Sequence, residues 1–172
     1  MRRTPEDCLE IFLQPGEFYF GDHATRIRTV LGSCVAITMW HPELRIGGMC
    51  HYMLPRRPRN AIPGAPLDGR YADEAMKLFL RELRGSRTSA ADYQVKLFGG
   101  GQMFPARTGS GHMASVSERN VIYGRAAIAD GGFRLAAQDL GGFGHRNVIL
   151  DLWSGDVWVR QNGPKVPPSP TP

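Results

Sequence analysis

The chain has 172 residues, 42% of them hydrophobic, which suits one domain with a real core and excludes a disordered composition. Lys and Arg total 21 against 16 Asp and Glu, and the resulting net charge of +5 favours acidic partners. The basic residues are scattered apart from RRPR at 56–59, so no nucleic-acid footprint is present, and no run approaches the roughly eighteen apolar residues of a membrane span.

In chain order, residues 1–8 are expected to be a flexible N-terminus, and their acidic residues argue against a cleaved secretory leader. The cytoplasm is therefore the expected compartment. One domain is expected over 9–161, followed by a proline-rich disordered tail at 162–172. Within the domain, LEIFLQ (9–14) and RIRTV (26–30) have strand character, as do Cys34–Trp40 and Arg45–Leu54 around a turn at HPEL (41–44). A fifteen-residue polar loop, 56–70, is long enough to suggest a functional role. A helix is predicted over 72–84, where Ala72, Ala75, Met76, Phe79, Leu80 and Leu83 form one stripe and Gly85 supplies the stop. Strand 95–100 follows, then a helix from an N-cap at Ser117 to about residue 129. Strands 133–138, 147–153 and 156–161 complete the domain, the last two joined by a tight turn at Ser154-Gly155. Many strands and few helices give an α+β class, with helices covering sheet faces.

The chemistry concentrates in LGSCVAITMW and GGMCHYMLP. If HPEL closes a hairpin, Trp40 pairs with Arg45 and Cys34 falls directly opposite His51, with Cβ atoms about 4.5–5.5 Å apart. Cys50 then points to the other face. A thiol beside an imidazole is a nucleophile beside its base, and amides of the Leu31-Gly32-Ser33 turn are placed to hold an oxyanion. Two ordinary core residues fit the same spacing, which does not choose between these readings.

Three cysteines without a CxxC speak against a disulfide framework or a zinc ribbon, and leave free thiols. His112 and His145 lack any ligand spacing with Cys34 and His51, so no metal is expected. KLFGGGQMF (96–104) matches no phosphate-loop pattern; its glycines fit a tight turn or a close backbone approach to the site. RRPR, just after the His51 strand, reads equally as a solvated loop or a contact for an acidic partner.

The stretches LGSCVAI, GGMCHYMLP, YADEAMKLFLREL, KLFGGGQMF, SERNV and GGFGHRNVILDLWSGDVWV, in that order and spacing, resemble the CheD family of chemoreceptor glutamine deamidases. The resemblance implies hydrolysis of receptor glutamine side chains to glutamate with release of ammonia. Cys34 is then the nucleophile and His51 the general base and acid, with no cofactor. A threonine six residues before the cysteine assists the histidine in the family. Here that position is Arg28, and a one-residue gap transfers the role to Thr29. The resemblance also implies a β-sandwich of two mixed sheets with helices packed outside, similar to cytotoxic-necrotizing-factor-like cysteine hydrolases. Its implied partners are the cytoplasmic helices of methyl-accepting chemotaxis proteins and a CheC-type phosphatase. The alternative is a catalytically weak binding module for the same partners.

Overall fold

The computed structural model describes residues 4–59, 61–104 and 114–163. The expected loose ends therefore lie partly outside the described residues, at 1–3 and 164–172, as does His112. The elements run β1 (Leu9–Leu13), β2 (Phe18–Gly21), β3 (Thr25–Leu31), β4 (Val35–His41), β5 (Ile46–Tyr52), α1 (Ala72–Gly85), a short 3-10 turn, β6 (Gln94–Gly99), α2 (Val116–Asp130), β7 (Leu135–Leu140), β8 (His145–Asp151) and β9 (Asp156–Asn162).

The strands form two mixed sheets, a four-stranded one in the order β1-β3-β8-β9 and a five-stranded one in the order β2-β5-β4-β6-β7. Each contains one parallel pair, β1 with β3 and β6 with β7. Both helices pack on the five-stranded sheet. The result is the α+β class, two mixed sheets with two helices. β3 alternates as a half-buried strand should: Thr25, Ile27, Thr29 and Leu31 are buried while Arg28 and Val30 face out. β4 is buried at every position because sheet covers one face and helix the other, so its sequence is nearly continuous in apolar residues. Val35, Ile37, Met39, Cys50 and Tyr52 join the core under the helices, with Phe79 and Ile128. Ala36, Trp40 and Met49 face the other way and pack with Ile27, Leu31, Val148 and Leu150 between the sheets.

Several strand boundaries shift by one or two residues from the sequence reading, β7 lying at Leu135–Leu140 in place of 133–138 and β8 starting at His145, and three differences have a clear local cause. The β4–β5 loop is residues 42–45, because Arg45 adopts a left-handed conformation (φ 53°) and its N–H returns to the His41 carbonyl at 2.8 Å. The β8–β9 connection has the same form over 152–155, with Gly155 in the left-handed position (φ 77°), so it is a four-residue loop rather than a two-residue turn. Helix α2 starts two residues earlier than Ser117 predicts. Ser115 is the N-cap: its hydroxyl accepts the Glu118 N–H at 3.2 Å while the Glu118 carboxylate accepts the Ser115 N–H at 2.8 Å. Ser117 is buried inside the first turn. β2 was not anticipated; FYFG has no apolar–polar alternation, and it becomes a strand by pairing with β5.

Candidate active site

Thr29 reaches the sandwich interior from β3 in one sheet and His51 from β5 in the other. Thr29 Oγ1 lies 2.7 Å from His51 Nδ1 and 2.9 Å from the Leu13 carbonyl oxygen. A hydroxyl has one proton, and the carbonyl can only accept it. The His51 Nδ1–H must therefore donate to Thr29, which leaves Nε2 with the lone pair. That atom is buried without a hydrogen-bond partner among the described residues. The ring itself is 1% exposed, and burial pulls its pKa down to about 4 against a small opposing effect of Glu17. The resting imidazole is neutral, with Nε2 the basic atom.

Cys34 is partly buried and immediately precedes β4. The observed register pairs Ala36 with His51 and Val35 with Tyr52, two residues away from the register the sequence suggested. Cys34 is thus the diagonal neighbour of His51 and not its direct partner. A shift of two preserves the alternation of faces, so both residues stay on the same side of the sheet. Burial pushes the Cys34 thiol up, and a hydrogen bond from Ser33 partly offsets it. Thiol and imidazole are both neutral at rest.

The turn that presents Cys34 is held by glycines of the KLFGGGQMF segment. Gly100 N–H donates to the Cys34 carbonyl and Gly101 N–H to the Gly32 carbonyl, each at 2.9 Å. A Cβ at Gly99 (φ 115°) would collide with the Cys34 carbonyl, so only glycine permits this approach. Beside the turn opens a groove of about 290 Å³ lined by Ser33, Gly101, Gln102, Met103, Phe104 and Val116. A larger cavity, about 480 Å³, opens on the far face of the four-stranded sheet among Phe12, Arg28, Trp158 and Arg160. Thr29 borders that cavity too, but its hydroxyl is turned inward to His51.

Residues 53–161 match the family model described as CheD chemotactic sensory transduction. A probable chemoreceptor glutamine deamidase CheD of Pseudomonas savastanoi pv. phaseolicola is 55% identical over 91% of this chain and 87% of its own length. Proteins of that name from Dechloromonas aromatica (48% identical, 92% of this chain and 91% of the relative) and Leptospira interrogans (38%, 91% and 95%) are also similar. The chain belongs to the CheD family.

In this CheD family member Arg28 and Thr29 take opposite faces of β3. Arg28 points outward, where its guanidinium pairs with Glu10 at 2.6 Å. Cys50 is fully buried under the helices, and desolvation pushes its thiol to about 12. His145 is exposed at the start of β8 and His23 is exposed before β3. His41 is buried edge-on against Tyr93 and accepts the Leu44 N–H. None of the three accompanies Cys34 and His51. In the RRPR loop, Arg57 grips Glu74 of α1 through two contacts of 2.6 Å and Arg56 bonds the Tyr123 hydroxyl, so the segment is tied to the fold.

Sequence reasoning missed Asn120. It lies on α2, fully buried, and its side-chain amide donates to the Ser33 carbonyl at 3.3 Å and the Met53 carbonyl at 2.8 Å. The only available signal was a polar residue within the SERNV segment, and nothing local assigns it a partner.

Proposed function

We propose that this chain is a cysteine-dependent protein-glutamine deamidase acting on the cytoplasmic helices of chemoreceptors. The observation that carries the reading is the Thr29–His51 pair, because it fixes the tautomer in which Nε2 is a base on the face shared with Cys34. The names of the relatives supply the substrate class.

Because thiol and imidazole start neutral, proton transfer accompanies attack. His51 Nε2 takes the Cys34 proton as Sγ bonds to the glutamine side-chain carbonyl carbon. The carbonyl oxygen becomes an oxyanion facing amides of the Gly32–Cys34 turn. The imidazolium then gives its proton to the departing nitrogen, the C–N bond breaks, and ammonia leaves a thioester on Cys34. Water enters and yields its proton to Nε2 as its oxygen bonds to the acyl carbon. Collapse breaks the C–S bond, returns the proton to sulfur and leaves glutamate. Throughout, Thr29 Oγ1 accepts from Nδ1–H and steadies the ring while it is charged. That Nε2 has no hydrogen bond among the described residues is compatible with the role, since catalytic contacts tighten when substrate closes the site.

The His51 Nε2 without a hydrogen-bond partner among the described residues favours a second reading, a weakly catalytic module that binds receptors or a CheC-type phosphatase. Replacing Cys34 by Ala separates the two. The deamidase reading expects ammonia release from a receptor cytoplasmic fragment to vanish while binding persists. Wild-type protein that binds the fragment and leaves every glutamine intact would establish the binding module instead.

A further inference from the structure

The β4–β5 ladder stops at Val35 and Tyr52, one pair short of the residue that carries the thiol. Continued in register, the next pair would be Cys34 with Met53. In its place the Asn120 side-chain nitrogen sits between the two strands, donating at 3.3 Å to the Ser33 carbonyl and at 2.8 Å to the Met53 carbonyl. Helix α2 is fixed at that point from the other side as well. The Tyr52 hydroxyl donates to the Asn120 backbone carbonyl at 2.5 Å, and Gly124, where a Cβ would strike that hydroxyl, makes room for it.

We infer that Asn120 is a positioning residue, whose amide takes over from the ladder to hold the Cys34 turn in register with the His51 strand and to aim the Cys34 N–H. The Ser33 carbonyl and the Cys34 N–H belong to one planar trans peptide and point in opposite directions. Drawing the carbonyl toward α2 turns the Cys34 N–H away from the helix, and a hydrogen bond at one end of the peptide polarises the donor at the other. The Met53 contact fixes the strand exit two residues past His51, so one side chain sets both halves of the pair. A generic core amide would not need to bridge these two carbonyls. This inference rests on the deamidase reading for its catalytic consequence, and on the hydrogen bonds alone for its geometry.

Asn120→Asp keeps the volume and removes the donor. The variant is expected to fold, shown by a cooperative thermal transition above the assay temperature. Its kcat for ammonia release from a receptor cytoplasmic fragment should fall about 100-fold, the scale of an ångström misplacement, with KM within about twofold. Carbamidomethylation of Cys34 by iodoacetamide should lose its His51-assisted rate near neutral pH and follow the pH profile of His51→Ala. Asn120→Ala serves as a second variant with the same expectations. A folded variant with kcat within about twofold of wild type and the wild-type alkylation profile overturns the inference. Failure of both variants to fold overturns it too, since Asn120 is then a structural residue. If wild-type protein releases no ammonia, the deamidase reading fails by itself, and the alkylation profiles still decide the role of Asn120.

Discussion

A single hydroxyl sets the protonation pattern of the site. Thr29 donates to Leu13 and receives from His51, so Thr29→Val removes both bonds and leaves the buried His51 Nδ1–H without its partner. That should cost about 1–3 kcal/mol of stability, measured by urea unfolding. It should also lower kcat about 100-fold through a ring no longer held in place, while Thr29→Ser keeps most activity. His51 makes stability depend on pH. Its folded-state pKa of about 4 lies below the ordinary 6.5, so between those values the unfolded chain takes the proton more readily. Stability from this residue is complete above about pH 6.5 and falls as the pH drops, by about 3 kcal/mol at pH 4. Urea unfolding of wild type and His51→Gln between pH 7 and pH 4 should give curves that converge as the pH falls, the wild type losing more.

Among the elements, the glycine segment after β6 and the hairpin before it decide where the thiol sits. Gly99→Ala would drive a Cβ into the Cys34 carbonyl at a backbone angle that L-residues avoid. The expected outcome is a folded protein with a displaced Cys34 turn and little deamidation, read by thermal melting beside the ammonia assay; full activity would show that the turn tolerates displacement. The two-residue error in the hairpin register has a local cause. The sequence reading closes the loop at Leu44, whereas the chain spends Arg45 in a left-handed conformation that a β-strand pattern does not announce. Strand parity survived the error, so the shared face of Cys34 and His51 was legible even though their direct opposition was not. Helix α2 shows the complementary limit. Two serines precede Glu118, and only the reciprocal capping bonds select Ser115.

At the scale of the molecule, the site exists because two sheets stack. Thr29 and His51 belong to different sheets, and Trp40 ties the layers again through its indole N–H to the Leu152 carbonyl at 2.8 Å. Periodicity revealed the strands and the α+β class, but stacking brings together residues with no regular spacing, so the Thr29–His51 contact and the Asn120 bridge could not be read from pattern. The Thr29 assignment came from a family motif with a one-residue gap, and β3 alternation separates it from Arg28, which faces solvent beside Glu10. No helix among the described residues is long and apolar enough to cross a membrane. The most direct test is mass spectrometry of a receptor cytoplasmic fragment incubated with wild-type protein and with Cys34→Ala. The account predicts that defined glutamines become glutamate with the wild type and stay unchanged with the variant. Equal conversion by both proteins, or none by the wild type under conditions where it binds the fragment, would contradict it.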